Sequence, residues 1–82
     1  MKNIDSQSLN AQFMVKTFTF DEGRKMYLLH KGQGIYPSFY YLPDDLAIYV
    51  EKGGCFFLLT FGVSKYGELK HFFNLMQIDI EL

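Results

Sequence analysis

The sequence has no tryptophan, one cysteine, two prolines and almost no net charge. A single cysteine excludes an internal disulfide, which fits a reducing compartment. A net charge of −1 argues against a dedicated polyanion binder, because such domains usually carry a clear basic excess. The longest apolar run, from Cys55 to Leu59, is far shorter than the roughly 20 residues of a membrane-spanning helix, and Met1 to Asn10 contain no apolar stretch of signal-peptide type. We therefore expect a cytoplasmic protein with no membrane partner.

Aromatic residues are abundant. Nine Phe and six Tyr make up 18% of the 82 residues, while the apolar fraction of 49% is ordinary for a globular protein. The length predicts a single small domain over residues 1–82, and a chain of this size buries only roughly 60% of the surface that its unfolded state exposes. Each ring buries on the order of 150–250 Å², so we expect some rings in shallow or exposed positions.

Turn-forming residues divide the chain into short segments, and this spacing favours strands over helices. Residues 1–11 are polar and predict a loose N-terminal lead-in. Strands are predicted at residues 12–20, 24–31, 35–42, 46–52, 55–61 and 77–82, with hairpin turns at 21–23 and 53–54. For residues 46–52 the alternative is a short helix with a glycine stop, but the β-branched Ile48 and Val50 favour a strand.

Three of these segments carry predictions about their place in the sheet. Residues 55–61 are apolar on both faces, which indicates a central strand with an inert, buried Cys55 at its start. Pro37 cannot donate to a hydrogen-bond ladder, so the strand over residues 35–42 is expected at an edge. Residues 77–82 alternate between apolar and polar side chains and predict a half-buried closing strand.

A helix is predicted over residues 64–77, with Ser64 as its N-cap. Its apolar residues recur at helical spacing and form one stripe: Tyr66, Leu69, Phe72, Phe73 and Met76. Leu75 points away from the stripe and is a candidate partner contact. The predicted fold is therefore α+β: a mostly antiparallel sheet of five or six strands, with this helix of the C-terminal half packed on one face.

The sequence shows no motif for catalysis, cofactor binding or metal binding. The cysteine and the two histidines lie too far apart for a metal site of the usual ligand spacing, and no residue orients a Cys55–His71 pair for nucleophilic catalysis. Gly32-Gln33-Gly34 lacks the third glycine and the following helix of a phosphate-binding loop. Asp79 and Glu81, roughly 7 Å apart on one strand, are typical of a solvated strand face. We predict no enzyme activity, no cofactor and no metal.

Binding of single-stranded nucleic acid is the alternative function. Lys31 and the two glycines that follow match the start of a ribonucleoprotein motif, but the positions that must be aromatic to stack bases hold Gln33 and Ile35. A Tyr- and Phe-rich sheet face beside Lys25 and Lys31 offers another stacking geometry. The low basic charge predicts that such binding is weak and sensitive to salt.

The most distinctive segment is aromatic and is followed by two acidic residues. The predicted partner-binding residues are Tyr36, Phe39, Tyr40, Tyr41, Asp44 and Asp45. Tyrosine is enriched at protein interfaces because it offers a large area and a hydrogen bond at low entropic cost, and an acidic rim suits a basic partner surface. The alternative is that these rings cover a small core while their hydroxyls reach water.

These observations favour a non-enzymatic protein-binding module. Short chains without catalytic motifs commonly serve as inhibitors, immunity factors or adaptors, often from phage or other mobile elements, and this step is an analogy. The expected partner is another protein. A homodimer is a further hypothesis, formed through the closing strand over residues 78–82 or through the strand that contains Pro37.

Overall fold

Five strands form one antiparallel sheet in the computed structural model, which describes residues 3–18 and 24–80, and two helices accompany the sheet there. The strands are β1 (Met14–Phe18), β2 (Arg24–His30), β3 (Ser38–Leu42), β4 (Ala47–Lys52) and β5 (Cys55–Thr60). The helices are α1 (Ser6–Gln12) and α2 (Tyr66–Leu75), and a 3-10 turn at Pro43–Asp45 joins β3 to β4. The predicted α+β fold with a mostly antiparallel sheet is confirmed.

Each strand pairs antiparallel with its neighbours in sequence, in the order β1-β2-β3-β4-β5. The tight turn between β4 and β5 shows why: Gly53 and Gly54 adopt φ values of +60° and +84°. Two successive residues with positive φ match the twist of a two-residue hairpin, and glycine adopts them without strain. The strand predicted over residues 46–52 is confirmed, and the helical alternative is wrong. The hairpin loop predicted at residues 21–23 lies outside the described residues.

The main core lies between the sheet and the two helices. Tyr27, Tyr41 and Ile48 are register partners on one face of β2, β3 and β4, and they form a buried cluster with Phe73 of α2. The other buried members of this cluster are Leu9, Leu29, Phe39, Val63 and Leu69. The ring of Phe73 meets the ring of Phe39 edge-on with centroids 5.5 Å apart. Aromatic packing therefore holds α2 against the middle of the sheet.

A second, smaller cluster covers the opposite face of the sheet. Met26, Tyr40 and Leu42 are buried there, and the partly buried residues around them are Leu28, Tyr49 and Phe56. The ring centroids of Tyr40 and Phe56 lie 5.6 Å apart. All members of the cluster are strand residues, so large side chains of the sheet itself shield this face.

The N-terminal segment is more ordered than the sequence predicts. Instead of a loose lead-in over residues 1–11, it contains α1, whose N-cap Asp5 accepts a hydrogen bond from the Ser8 N–H at 2.7 Å. Leu9 is fully buried, and the Tyr27 hydroxyl donates to Asn10 Oδ1 at 2.9 Å. The helix was missed because Leu9 is its one large apolar residue, which gives no stripe at helical spacing. The capping residues Asp5 and Ser8 are the signal that sequence reasoning could have used.

Helix α2 begins at Tyr66, with Lys65 rather than the predicted Ser64 as its N-cap. The predicted stripe is largely confirmed: Leu69 and Phe73 are buried and Tyr66 and Phe72 are partly buried, while Met76 lies beyond the helix and is exposed. The side of α2 that the sequence assigns to the core is thus the side that packs on the sheet.

Residues 77–80 do not form the predicted closing strand. Gln77 adopts a left-handed conformation at φ +59°, and the Ile78 N–H donates to the Phe73 carbonyl at 2.9 Å. This cap ends α2 and turns the chain back over the core. Ile78 and Ile80 are partly buried there, so the alternation that predicts a strand belongs to a covering loop. Residues 81–82 lie outside the described residues.

Strand β3 occupies the centre of the sheet, whereas the sequence predicts an edge for it. The prediction rested on Pro37, but the strand begins one residue later, at Ser38. The proline therefore does not interrupt the ladder. Because β3 has strands on both sides and side-chain clusters on both faces, four of its five residues are buried.

Tyr41 links the centre of this sheet to the segment before α2, and the link predicts a response to pH. Its hydroxyl is buried and donates to the Val63 carbonyl at 2.5 Å. Burial, and secondly the charges of Tyr66 and Glu68, raise the pKa of Tyr41 from 10.0 to about 12. Below pH 10 the group is neutral in both states. Between pH 10 and about 12 only the unfolded chain loses the proton, so the free energy of unfolding falls as pH rises.

We expect Tyr41→Phe to lower the free energy of unfolding at pH 7 by about 1–3 kcal/mol, because the buried Val63 carbonyl loses its donor. Above pH 10 the variant should lose stability less steeply than the wild type. Urea unfolding followed by circular dichroism at several pH values measures both effects. Burial, and secondly the charge of Glu51, also raise the pKa of Tyr40. The free energy of unfolding of the variant should therefore still fall to some extent above pH 10. Equal slopes above pH 10 would contradict the assignment to Tyr41.

Candidate functional site

The structure buries most of the aromatic segment predicted to bind a partner. Phe39, Tyr40 and Tyr41 are only 3%, 6% and 0% exposed, whereas Tyr36 in the preceding loop is 72% exposed. The prediction of an exposed aromatic surface is therefore wrong for the three residues of β3. Phe39 and Tyr41 face the helices and Tyr40 faces the second cluster, so covering from both sides removes them from any surface of the folded monomer.

The two acidic residues of the prediction are exposed but lie apart from Tyr36. Asp44 and Asp45 belong to the 3-10 turn after β3, and Asp45 pairs with Arg24 at 3.1 Å. Tyr36 precedes the same strand, whose five residues span roughly 17 Å. The structure therefore does not bring Tyr36 and the acidic residues into one patch. That any of these three residues contacts a partner stays a prediction.

Four of the eleven large apolar side chains that are exposed in the described part of the chain lie together on β5 and the residue that follows it. We define the β5 edge surface as four side chains that are 43–74% exposed: Phe57, Leu58, Leu59 and Phe61. The sequence predicts this segment to be a central strand covered on both faces. That prediction is wrong, because β5 is the last strand of the sheet and has β4 as its one strand neighbour among the described residues. Cys55, predicted to be buried, is exposed.

Pairing with β4 places the apolar side chains of this edge on both faces of the sheet. Phe57 is the register partner of Val50 on the helix side, and Leu58 is the partner of Tyr49 on the opposite side. The register then shifts, and Leu59 is the extra residue of a β-bulge. A strand that binds along the outer edge of β5 would thus contact apolar side chains above and below its backbone.

The composition of β5 is unusual for an edge strand. Residues 55–63 contain no charged residue and no proline. Natural edge strands are commonly protected from pairing by lysine, proline or inward-pointing charges, because their outer N–H and C=O groups are a template for another strand. The bulge at Leu59 is the one protective feature within β5 itself.

Two grooves elsewhere in the described part of the chain are weaker candidates for a binding site. One of about 380 Å³ lies on the face of the second cluster and is lined by Leu28, Tyr40 and Lys31, among others. Another of about 410 Å³ lies between Tyr36 and Met76, the residue that follows α2. In residues 3–18 and 24–80, no three or more His, Cys, Asp or Glu side chains form a group that could hold a metal ion. No helix in the same part of the chain is long and apolar enough to cross a membrane.

The structure buries most of the aromatic rings on which the prediction of nucleic-acid binding depends. Bases stack on exposed aromatic faces, and within the aromatic segment only Tyr36 provides one. Lys31 is exposed in the same loop region. Binding through these two residues stays a prediction.

Comparison with known proteins found no matching family model, no similar curated protein and no similar solved structure. Proposals about function therefore rest on the geometry of the chain itself.

Proposed function

We propose that the protein is a non-enzymatic protein-binding module that acts through the β5 edge surface. The observation that carries the proposal is an uncharged edge strand whose Phe57, Leu58 and Leu59 side chains are roughly half exposed. The binding mode is strand addition: a strand of the partner continues the sheet, its backbone bonds to the edge of β5, and its side chains pack against the apolar side chains of that edge.

The free energy available from this surface is small enough that the binding affinity should depend on every one of its apolar side chains. A large apolar side chain has roughly 200 Å² of surface, so each member of the β5 edge surface presents on the order of 100 Å². At about 25 cal/mol per Å², covering it contributes roughly 2.5 kcal/mol. The costs of association, about 4–15 kcal/mol, consume most of the total. Losing one contact should therefore weaken binding tenfold or more.

The chemistry of the surface favours a protein partner over a polyanion. It has no charged side chain with which to neutralise phosphates, whereas burial of apolar area depends little on salt. Inhibitor, immunity factor and adaptor are the roles that we propose for such a module, because each acts by occupying a surface of another protein.

Leu58→Lys tests the proposal because it places a charge at the centre of the edge without touching the core. In a tagged pull-down, we expect the wild type to capture a protein that is retained at high salt, and Leu58→Lys to capture at least tenfold less. The matched control is Leu75→Lys, the same change at the exposed leucine at the end of α2 that the sequence offers as an alternative partner contact. If the β5 edge surface is the binding site, this variant should capture as the wild type does. Circular dichroism verifies that both variants are folded.

Capture that survives Leu58→Lys unchanged would contradict the proposed surface. Capture of nucleic acid that washes off with salt, and that Tyr36→Ala or Lys31→Ala reduces, would support the nucleic-acid alternative instead.

A further inference from the structure

We propose that in the free protein the β5 edge surface is occupied by a second copy of this chain, which a partner strand displaces when it binds. In this arrangement two β5 strands pair antiparallel across a two-fold axis and join two five-stranded sheets into one. The inference rests on the proposed function and names the occupant of its surface.

The topology of the sheet suits such a pairing. All four strand pairs among the described residues are antiparallel. A two-fold axis perpendicular to the sheet sets identical edge strands antiparallel and uses the same surface of both copies. A β5–β5 pair would therefore continue the existing hydrogen-bond pattern without a change of strand direction.

The charge pattern favours self-pairing over pairing with a charged strand. Like charges opposite each other destabilise a strand pair, and residues 55–63 have none to oppose. A β5–β5 pair therefore places no like charges opposite each other within the paired strands.

The size of the surface predicts a dimer in exchange with its monomer. The four side chains present on the order of 400 Å² per copy, taking roughly 200 Å² for a whole large side chain. In a dimer the side chains of both copies would bury about twice this area, and the backbones of the two paired edges would bury more. The total buried area would then approach the lower end for specific interfaces, about 1,200 Å². The bulge at Leu59 limits the length of regular pairing.

The first measurement is mass against concentration by sedimentation velocity, over a roughly hundredfold range that spans micromolar dissociation constants. We expect the wild type to rise from 9.6 kDa towards twice that mass. Leu58→Lys should remain at the monomer mass over the whole range. Leu75→Lys should follow the wild-type curve, because its substitution lies on α2 away from the edge.

The second measurement uses Cys55, the one cysteine of the sequence, which is exposed and lies in β5. A nitroxide label at Cys55 reports the distance between the two copies by pulsed electron resonance. Antiparallel pairing centred at Phe57 or Leu58 separates the two Cys55 Cα atoms by about 15–20 Å, from a rise of about 3.4 Å per residue. Pairing through β1 would separate them by about 40 Å, since four strand spacings of about 4.8 Å intervene in each copy.

A dimer with the short separation that Leu58→Lys abolishes supports the inference. A dimer with the long separation, a dimer insensitive to Leu58→Lys, or species larger than a dimer would overturn it. A monomer at every concentration would also overturn it. If the protein is a monomer but captures a different protein in a Leu58-dependent way, the proposed function still stands. If it neither dimerises nor shows Leu58-dependent capture, both the inference and the proposed function are wrong.

Discussion

Phe73→Ala is expected to lower the free energy of unfolding by about 3–5 kcal/mol, the range for truncating a buried aromatic residue. Phe73 is fully buried and meets the rings of Phe39 and Phe72 edge-on with centroids 5.5 and 5.4 Å away. A chain of 82 residues has roughly 4–12 kcal/mol of stability in total. The midpoint of thermal unfolding should therefore fall by about 15–30 °C, which circular dichroism measures directly.

Leu75→Ala is the matched control, because Leu75 lies on the same helix and its side chain is exposed. A surface change of this kind should stay within about 0.5 kcal/mol. If Phe73→Ala melted within a few degrees of Leu75→Ala, the cluster between α2 and the sheet would not be the main core. Phe73→Ala also separates stability from binding: it should lose binding only at temperatures that unfold it, whereas Leu58→Lys should lose binding in a folded protein.

The elements with clear periodicity could be predicted from the sequence. The stripe that contains Leu69 and Phe73 identified α2 and its buried side, because the 3.6-residue period of a helix is visible locally. Gly53 and Gly54 identified the turn between β4 and β5 for the same reason, since positive φ is a local requirement. These are features that neighbours in sequence determine by themselves.

The order of strands in the sheet could not be predicted in the same way. A strand that is apolar on both faces is typical of a central strand, but an edge strand that binds a partner has the same composition. The sequence therefore predicts a central position for residues 55–61 and an edge position for the strand with Pro37, while the structure has the reverse. Strand order depends on contacts between segments distant in sequence.

The candidate site was missed for a related reason. The tyrosine content of the segment from Tyr36 to Tyr41 is compatible with a binding surface and with a small core, and the structure decides for the core in β3, which has strands on both sides. The signal for the β5 edge surface was present in the sequence as the uncharged run of residues 55–63. This run indicates an exposed edge only in combination with the strand order, in which β5 has one strand neighbour among the described residues.

Gly32→Ala should be the most damaging glycine substitution in the loop between β2 and β3. A Cβ at this position would lie 2.1 Å from the Tyr36 carbonyl oxygen and 2.2 Å from the Pro37 carbonyl oxygen. The atoms in the way are backbone, so the chain before β3 would have to move by an ångström or more. We expect a loss at or above about 3 kcal/mol, the upper end for overpacking a close-packed site, measured by urea unfolding.

Gly34→Ala in the same loop separates this contact from conformational strain. Gly34 has φ +63° and open space where a Cβ would stand, so alanine there should cost only about 1–2 kcal/mol of left-handed strain. The Gly32 N–H also donates to Ser38 Oγ at 3.0 Å, which ties the loop to the first residue of β3. Gly32 thus serves the close approach of two backbone segments rather than a phosphate site. Should Gly34→Ala prove the more destabilising change, backbone conformation and not close approach would determine this loop.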